Sequence, residues 1–129
     1  MVIDTSALVA VLTAESGAAQ FEDAIDRDTV RLMSAASVLE TSIVLESRFG
    51  DDGARELDLL IHRIPIEVRA VDGDQLEWAR FAYRTYGRGR HPAALNFGDC
   101  FAYALAKVSA EPLLFKGSDF SRTDLVSVL

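Results

Sequence analysis

Short apolar segments alternate with longer segments of helical periodicity from one end of the chain to the other. This alternation constrains the fold most strongly, because repeated strand–helix–strand units build a parallel sheet with helices on both faces. The pattern therefore predicts an α/β fold around a central parallel sheet of four to five short strands. The predicted strands are residues 2–3, 29–33, 65–68, 113–115 and 125–129. The predicted helices are residues 5–14, 17–28, 35–49, 54–64, 72–86 and 93–109.

The length of 129 residues predicts one domain, residues 1–129, with enough buried surface to fold without disulfides. The single cysteine, Cys100, lies in an apolar run, so neither a disulfide framework nor a thiolate metal site is expected. We find no signal peptide, and no apolar run reaches the roughly 20 residues that span a bilayer. These features predict a cytoplasmic location without membrane contact.

The net charge of −7 taken alone argues against nucleic-acid binding, because neutralising phosphates requires Lys and Arg. That objection weakens if four of the carboxylates share a metal site, which leaves −3 for the rest of the surface. The excess acid is equally compatible with ordinary solubility charge. The charge balance therefore leaves both possibilities open.

Four acidic residues stand in or beside apolar segments, where an isolated charge is costly. Asp4 ends the first strand, and Asp119 follows the strand at 113–115. Because the carboxyl ends of parallel strands meet at one edge of a sheet, both should open at the same edge. Glu40 follows the second strand by about two helical turns. Asp99 lies on the core-facing side of the helix before the fourth strand, three residues after Asn96.

Each acid also has a purely structural interpretation. Asp4 could cap the helix that begins at Thr5, with Thr5 or Ser6 as alternative caps. Glu40 could be a solvated residue at a helix edge, and Asp119 an ordinary turn residue. Asp99 is the hardest to explain in this way, because apolar residues flank it on both sides.

Four neighbouring carboxylates cannot all stay ionised without cations between them, because like charges raise one another's pKa. No Lys or Arg stands next to Asp4, Glu40 or Asp99 in the sequence. Oxygen ligands suit Mg²⁺ or Mn²⁺. Two such ions about 3.5–4 Å apart would polarise a phosphodiester and generate a hydroxide from water. The two isolated histidines, His62 and His91, lack the spacing of a zinc site.

Four sequence motifs carry a resemblance to a known family. They are Val-Ile-Asp-Thr-Ser-Ala at 2–7, Ser-Val-Leu-Glu-Thr at 37–41, Asn-Phe-Gly-Asp-Cys-Phe-Ala-Tyr-Ala-Leu-Ala at 96–106 and Leu-Leu-Phe-Lys-Gly-Ser-Asp-Phe at 113–120. In this order, and spread over nearly the whole chain, they resemble a PIN domain, and more narrowly a VapC-type toxin of a bacterial toxin–antitoxin pair. The resemblance implies a PIN-like fold and a Mg²⁺- or Mn²⁺-dependent endoribonuclease. It also implies a homodimer and a cognate antitoxin whose C-terminal segment blocks the site.

By the same resemblance, Asp4, Glu40, Asp99 and Asp119 match the family's catalytic quartet. Asp4 and Asp99 would be direct metal ligands, and Glu40 would bind a second ion or orient the attacking water. Asp119 would act through metal-bound water. Three polar residues match supporting positions of the family: Thr5, Ser6 and Asn96.

A basic segment from residue 80 to residue 91 is the best candidate for contact with an RNA substrate. Arg84, Arg88 and Arg90 alternate there with aromatic residues, so that guanidinium groups could hold phosphates while rings stack on unpaired bases. Lys116 lies near Asp119 and could contact phosphate as well. The alternative is a solvated helix end whose aromatic residues belong to the core. Antitoxin contact is expected along the amphipathic stretches 17–28 and 54–64, although both patterns equally fit core-facing helices.

Two other functions remain to be compared. A receiver-like signalling domain has a similar length, but it requires adjacent acids after the first strand, where Asp4 stands alone. A catalytically silent PIN-fold module that binds RNA or protein is the closer alternative, and the complete set of four acids argues against it.

Overall fold

The computed structural model describes all 129 residues, and its strands and helices alternate as the sequence predicts. The strands are β1 (Val2–Ile3), β2 (Leu32–Ser34), β3 (Glu67–Arg69) and β4 (Leu113–Leu114). The helices are α1 (Thr5–Leu12), α2 (Ala18–Arg27), α3 (Ala35–Phe49), α4 (Asp51–Arg63), α5 (Gly73–Tyr86) and α6 (Phe97–Ser109). A short 3₁₀ helix, Phe120–Arg122, follows β4.

The four strands form one sheet in the order β3-β2-β1-β4, and every neighbouring pair is parallel. Side chains of a strand alternate between the two faces of its sheet. Val2 accordingly packs with α5 and α6 on one face, whereas Ile3 packs with α1, α2 and α4 on the other. The predicted parallel sheet with helices on both faces is therefore confirmed.

The carboxyl edge of the sheet collects the ends of β1, β2 and β4 and the beginnings of the helices that pack on it. In parallel α/β folds, helices run back from this edge, so their N-termini lie beside the strand ends. The backbone N–H of Asp4 donates to the carbonyl of Leu114 over 2.9 Å, which joins the ends of β1 and β4. Helices α3 and α6 contact each other across the same region.

Two predicted strands differ from the structure. The segment predicted at 29–33 is extended only from Leu32, where its hydrogen bonds to β1 begin. The segment 125–129 forms no strand and makes only an isolated bridge between Leu113 and Ser127.

Helix α4 begins three residues earlier than predicted, because Gly50 alone forms the break between α3 and α4. Gly50 ends α3 with a φ of +63°, and α4 begins immediately at Asp51. Gly53 lies within α4, where a Cβ would come within 2.5 Å of the Leu45 carbonyl oxygen. This glycine therefore serves close packing of α3 against α4.

Helix α6 begins at Phe97 rather than at residue 93. Ala94 has a φ of +52°, which a helix excludes, and Asn96 forms the cap. No helix of the chain combines the length and the apolar character needed to cross a lipid bilayer.

Candidate active site

Asp4 ends β1 and caps α1, so one carboxylate serves both elements. It is only 4% exposed, and its Oδ2 accepts hydrogen bonds from the backbone N–H of Ser6 over 2.9 Å and from the Ser6 hydroxyl. The cap is thus Asp4, and the alternative caps Thr5 and Ser6 were wrong. Burial raises the pKa of Asp4, the two bonds from Ser6 lower it, and the charge of Glu40 raises it again. Asp4 is therefore an N-cap, as its structural interpretation predicts. Capping alone does not explain why its carboxylate also lies close enough to Glu40 for the two charges to interact.

Ser6 connects Asp4 to the loop that follows β4. Its hydroxyl donates to Asp4 and accepts a hydrogen bond from the backbone N–H of Lys116 over 3.0 Å. The hydroxyl of Thr5 lies instead in the interior, where it donates to the Ser37 carbonyl over 3.2 Å and accepts from Thr41. Of the two hydroxyls predicted beside the first acid, that of Ser6 contacts the carboxylate.

Asp99 stands at the third position of α6 and forms a reciprocal cap with Asn96. The Asp99 N–H donates to the Asn96 side chain, and the Asn96 N–H donates to Asp99 Oδ2, each over 2.9 Å. One carboxylate oxygen is therefore committed to the helix N-terminus, which fixes the orientation of the side chain. Asn96, which the resemblance gave as a supporting polar residue, is thus the N-cap of α6.

The electrostatics of Asp99 link the four predicted acids. Its pKa is raised to about 6, mainly by burial and in addition by the charges of Asp4, Asp119 and Glu40, while the hydrogen bond from Asn96 lowers it. Such repulsion requires that the carboxylates lie near one another. Side chains that are up to 115 positions apart in sequence thus meet at the carboxyl edge of the sheet.

Glu40 lies on α3 with its carboxylate directly above Gly98 of α6. A Cβ built on Gly98 would stand 1.7 Å from Glu40 Oε2 and 2.7 Å from its Cδ. The structure thus brings Glu40 to the first turn of α6, one residue before Asp99. The interpretation of Glu40 as a merely solvated residue does not describe this placement.

Asp119 is the most exposed of the four acids. It immediately precedes the 3₁₀ helix, and its backbone carbonyl accepts a hydrogen bond from the N–H of Arg122. Its side chain lies near enough to Asp99 to raise the pKa of that group. Asp119 therefore borders the cluster rather than forming its interior.

The four side chains have the chemistry of a site for a hard divalent cation. They supply only carboxylate oxygens, and their mutual repulsion would be relieved by a bound cation. No three Asp, Glu, His or Cys side chains are, however, gathered tightly enough in this structure to form a complete metal-binding group. The carboxylate oxygens are the type of ligand that Mg²⁺ or Mn²⁺ prefers, but the four side chains lie further apart than the ligands of a fully formed metal site.

The predicted RNA-binding residues lie on two sides of the site. Arg84, Arg88 and Arg90 are exposed and form no ion pair, and the Arg90 guanidinium lies 5.7 Å from the centre of the Tyr83 ring. Lys116 differs, because its ammonium group forms an ion pair with Glu15. Sequence reasoning missed this pair, since the two residues are 101 positions apart.

A groove of about 550 Å³ runs between α5 and α6 and begins at Asn96. Its walls include Leu76, Phe97 and Phe101, and Arg88 lies along it. Phe97 is 79% exposed, an unusual fraction for a large apolar side chain. We did not single out Phe97 or Phe101 from the sequence, because helical periodicity alone does not distinguish an exposed aromatic residue from one in the core.

Comparison with family models and with named proteins gives a consistent result. Residues 1–126 match the model of the PIN domain. The chain is 60% identical over 128 residues to the VapC ribonuclease Mb0640 of Mycobacterium bovis, which covers 99% of this chain and 98% of that protein. It is 62% identical over 128 residues to a ribonuclease VapC of Mycolicibacterium smegmatis, covering 99% of both chains.

Comparison with solved structures supports the fold. The VapC20 toxin of Mycobacterium tuberculosis, described as cleaving the sarcin–ricin loop, matches with a TM-score of 0.80 and 18% identity, over 97% of this chain and 95% of that one. A chain from a toxin–antitoxin complex of Klebsiella pneumoniae matches with a TM-score of 0.74 and 14% identity, over 99% and 97%. The predicted PIN-like fold is thereby confirmed.

Proposed function

Because the chain belongs to the PIN domain family and to its VapC ribonucleases, we propose that Asp4, Glu40, Asp99 and Asp119 form the catalytic centre with which it hydrolyses RNA. It acts as the toxin of a toxin–antitoxin pair. The observation that carries this proposal is the convergence of the acids at the carboxyl edge of the sheet, where the Glu40 carboxylate lies against the first turn of α6, one residue before Asp99. A chain that merely bound RNA or protein would have no use for four carboxylates that destabilise one another.

The proposal gives each acid a role that fits its surroundings. Asp4 and Asp99 are the direct metal ligands, since burial raises the pKa of both carboxyl groups and each is held by hydrogen bonds from a neighbouring residue. Glu40 binds a second ion or orients the attacking water. Asp119, at the exposed border, acts through water. When bound, Mg²⁺ or Mn²⁺ would polarise the phosphodiester and lower the pKa of the attacking water.

The substrate is RNA with unpaired bases near the cleaved bond. The guanidinium groups of Arg84, Arg88 and Arg90 are available for phosphates, because all three side chains are exposed. The groove between α5 and α6 offers aromatic surface that begins at Asn96, close to Asp99. Stacking on such rings suits single-stranded RNA. Lys116 would have to leave Glu15 to contact a phosphate.

The partners are a second copy of the chain and a cognate antitoxin. Leu39 and Ile43 on α3 and Val68 on the edge strand β3 are exposed, and they offer an apolar area for the second copy. A separate cleft of about 360 Å³ lies among α1, α2 and α4, with Ile25 and Leu60 in its lining. Both apolar and charged side chains line this cleft, which suits an amphipathic segment of the antitoxin.

The test is cleavage of single-stranded RNA by the purified chain with Mg²⁺ or Mn²⁺, and with both ions removed by chelation. We expect metal-dependent cleavage that is lost in Asp4→Asn and Asp99→Asn. The matched control is Asp58→Asn, an exposed acid of α4 remote from the site in sequence and structure. Equal activity of Asp99→Asn and the native chain would contradict the assignment of the site. Metal-independent RNA binding without cleavage would support the silent module instead.

A further inference from the structure

The carboxylate of Glu40 on α3 lies against Gly98 in the first turn of α6. The carboxylate of Glu40 occupies the space in which any other residue at position 98 would place its Cβ, only 1.7 Å from Oε2. The hydrogen bonds that orient the acids of this region go to Asp4 and Asp99, and none of them involves Glu40. Shape at position 98, and not a bonded partner, therefore decides where this carboxylate lies.

Nothing in the backbone requires glycine at position 98. The residue lies inside the first turn of α6, and it is not among the glycines with a positive φ, which are Gly17, Gly50, Gly89 and Gly117. Glycine within a helix is less favourable than alanine, because it loses more conformational freedom on folding. Glycine at position 98 therefore lowers helix stability without providing a backbone conformation that other residues cannot adopt. The neighbouring side chain of Glu40 explains it instead.

We propose that Gly98 is a positioning residue of the catalytic centre, because its missing side chain admits the Glu40 carboxylate to the first turn of α6 beside Asp4 and Asp99. The proposal rests on the proposed function, which makes Glu40 a catalytic group. Gly98 then affects RNA cleavage only through the position of the Glu40 carboxylate. The charge of Glu40 acts on both Asp4 and Asp99, which agrees with a position between them.

Adding a methyl group at position 98 tests whether the contact determines the position of the Glu40 carboxylate or the position of α6. The atom it would meet first is the end of a flexible side chain, which can rotate away, whereas a collision with backbone would force the helix to move. Gly98→Ala is therefore expected to fold with α6 unchanged and with the carboxylate of Glu40 displaced. Displacing a catalytic group by about 1 Å can lower activity about a hundredfold.

The experiment is a double-mutant cycle between positions 98 and 40, read in kcat/KM for RNA cleavage and in the thermal midpoint of the metal-free protein. We expect Gly98→Ala to lower kcat/KM to about the level of Glu40→Ala, a loss on the order of a hundredfold. Added to Glu40→Ala, the same change should alter kcat/KM less than about twofold, because the displaced group is already absent. The midpoint of Gly98→Ala should equal or exceed that of the native chain. Gly73→Ala, at the start of α5 where a Cβ meets nothing within 4 Å, is the matched control and should keep full activity.

Two results would overturn the inference: native activity in Gly98→Ala, or an equal loss from Gly98→Ala whether or not Glu40 is present. A crystal structure of Gly98→Ala gives a readout that does not depend on catalysis. A rotated Glu40 side chain supports the inference, whereas a shifted α6 with Glu40 in place contradicts it. If the native chain cleaves no RNA, the proposed function fails, while this structural comparison still decides whether Gly98 positions Glu40.

Discussion

At the scale of single residues, Asp99 combines a structural task with its proposed catalytic one at a cost in stability. One of its oxygens caps α6, while its pKa is raised from 3.8 to about 6, first by burial and then by the neighbouring acids. The folded chain therefore holds this proton more tightly than the unfolded chain does. The free energy of unfolding of the metal-free protein should fall as the pH rises from about 4 to about 6, where Asp99 ionises in the folded state.

Asp99→Asn should consequently stabilise the metal-free protein at pH 7 while it abolishes activity. A shift of two pKa units corresponds to about 3 kcal/mol, and partial exposure of the group reduces the expected gain to about 1–2 kcal/mol. Urea unfolding of the native chain and the variant at pH 4.5 and pH 7 measures this gain. The difference in the free energy of unfolding between the variant and the native chain should be larger at pH 7 than at pH 4.5. A variant that is less stable at pH 7 would contradict the repulsion inferred at the site.

The sequence predicted that the four acids lie close together, but it did not predict the residues that shape their surroundings. Asp99 could be recognised because apolar residues flank it on both sides, which is unusual for a solvated charge. Gly98 carries no such signal, since its importance arises from Glu40, 58 positions earlier in the chain. The pairing of Lys116 with Glu15 escaped prediction for the same reason.

At the scale of secondary structure, the first turn of α6 supports the site. Asn96 and Asp99 cap this turn reciprocally, and Gly98 between them contacts Glu40. The start of the helix and the position of two acids are thus determined together. Loss of the cap should affect stability and activity at once.

Asn96→Ala should lower the free energy of unfolding by about 1 kcal/mol, the usual cost of a lost N-cap. It should also lower the rate of RNA cleavage, because the Asp99 side chain loses the backbone arrangement that orients it. Asp72→Ala provides the comparison, since Asp72 caps α5 through a 2.9 Å bond from Gln75 and lies outside the site. Urea unfolding and cleavage assays on both variants measure the two effects.

The comparison would contradict this account if Asn96→Ala and Asp72→Ala lost stability equally and neither lost activity. In that case the cap of α6 would serve the helix alone.

The type and order of the helices and of the first four strands follow from the sequence, whereas the strand predicted at 125–129 and several boundaries differ from the structure. The period of the apolar residues identified α2 and α4, in which one face is buried, whereas α1 is apolar on nearly every side and shows the period only weakly. The start of α4 was misplaced, since Gly53 was interpreted as an interruption although it serves contact with Leu45. Tertiary packing of this kind leaves no trace in local periodicity.

At the scale of the whole molecule, an acidic chain must bind an acidic substrate. The net charge is −7, and the exposed Arg84, Arg88 and Arg90 form a local exception, in which Arg88 lies along the groove between α5 and α6. Local charge rather than total charge should therefore govern RNA binding. The fold places this basic segment at the end of α5, adjacent to α6.

Arg88→Ala, made in the inactive Asp99→Asn chain so that RNA stays intact, should weaken binding of single-stranded RNA by about tenfold. It should also reduce the dependence of log Kd on log salt concentration by about 1, as expected for one lost phosphate contact. Arg55→Ala on α4, where Arg55 pairs with Asp52, is the control and should change neither quantity. Fluorescence anisotropy over a range of salt concentrations measures both. An equal effect of the two substitutions would show that the arginines act only through total charge.

The whole-molecule arrangement was predictable in outline because parallel sheets gather their strand ends at one edge. Asp4 and Asp119 could be assigned to that edge from their positions after strands. The groove between α5 and α6 could not, because Leu76, Phe97 and Phe101 belong to apolar patterns that normally face a core.

The central claim, that Asp4, Glu40, Asp99 and Asp119 together hold divalent cations, is tested most directly by calorimetric titration of the metal-free protein with Mn²⁺. The native chain should bind the ion, and Asp99→Asn should bind it at least about tenfold more weakly while remaining folded. Equal affinity of the two proteins, or no binding by a folded native chain, would contradict the claim.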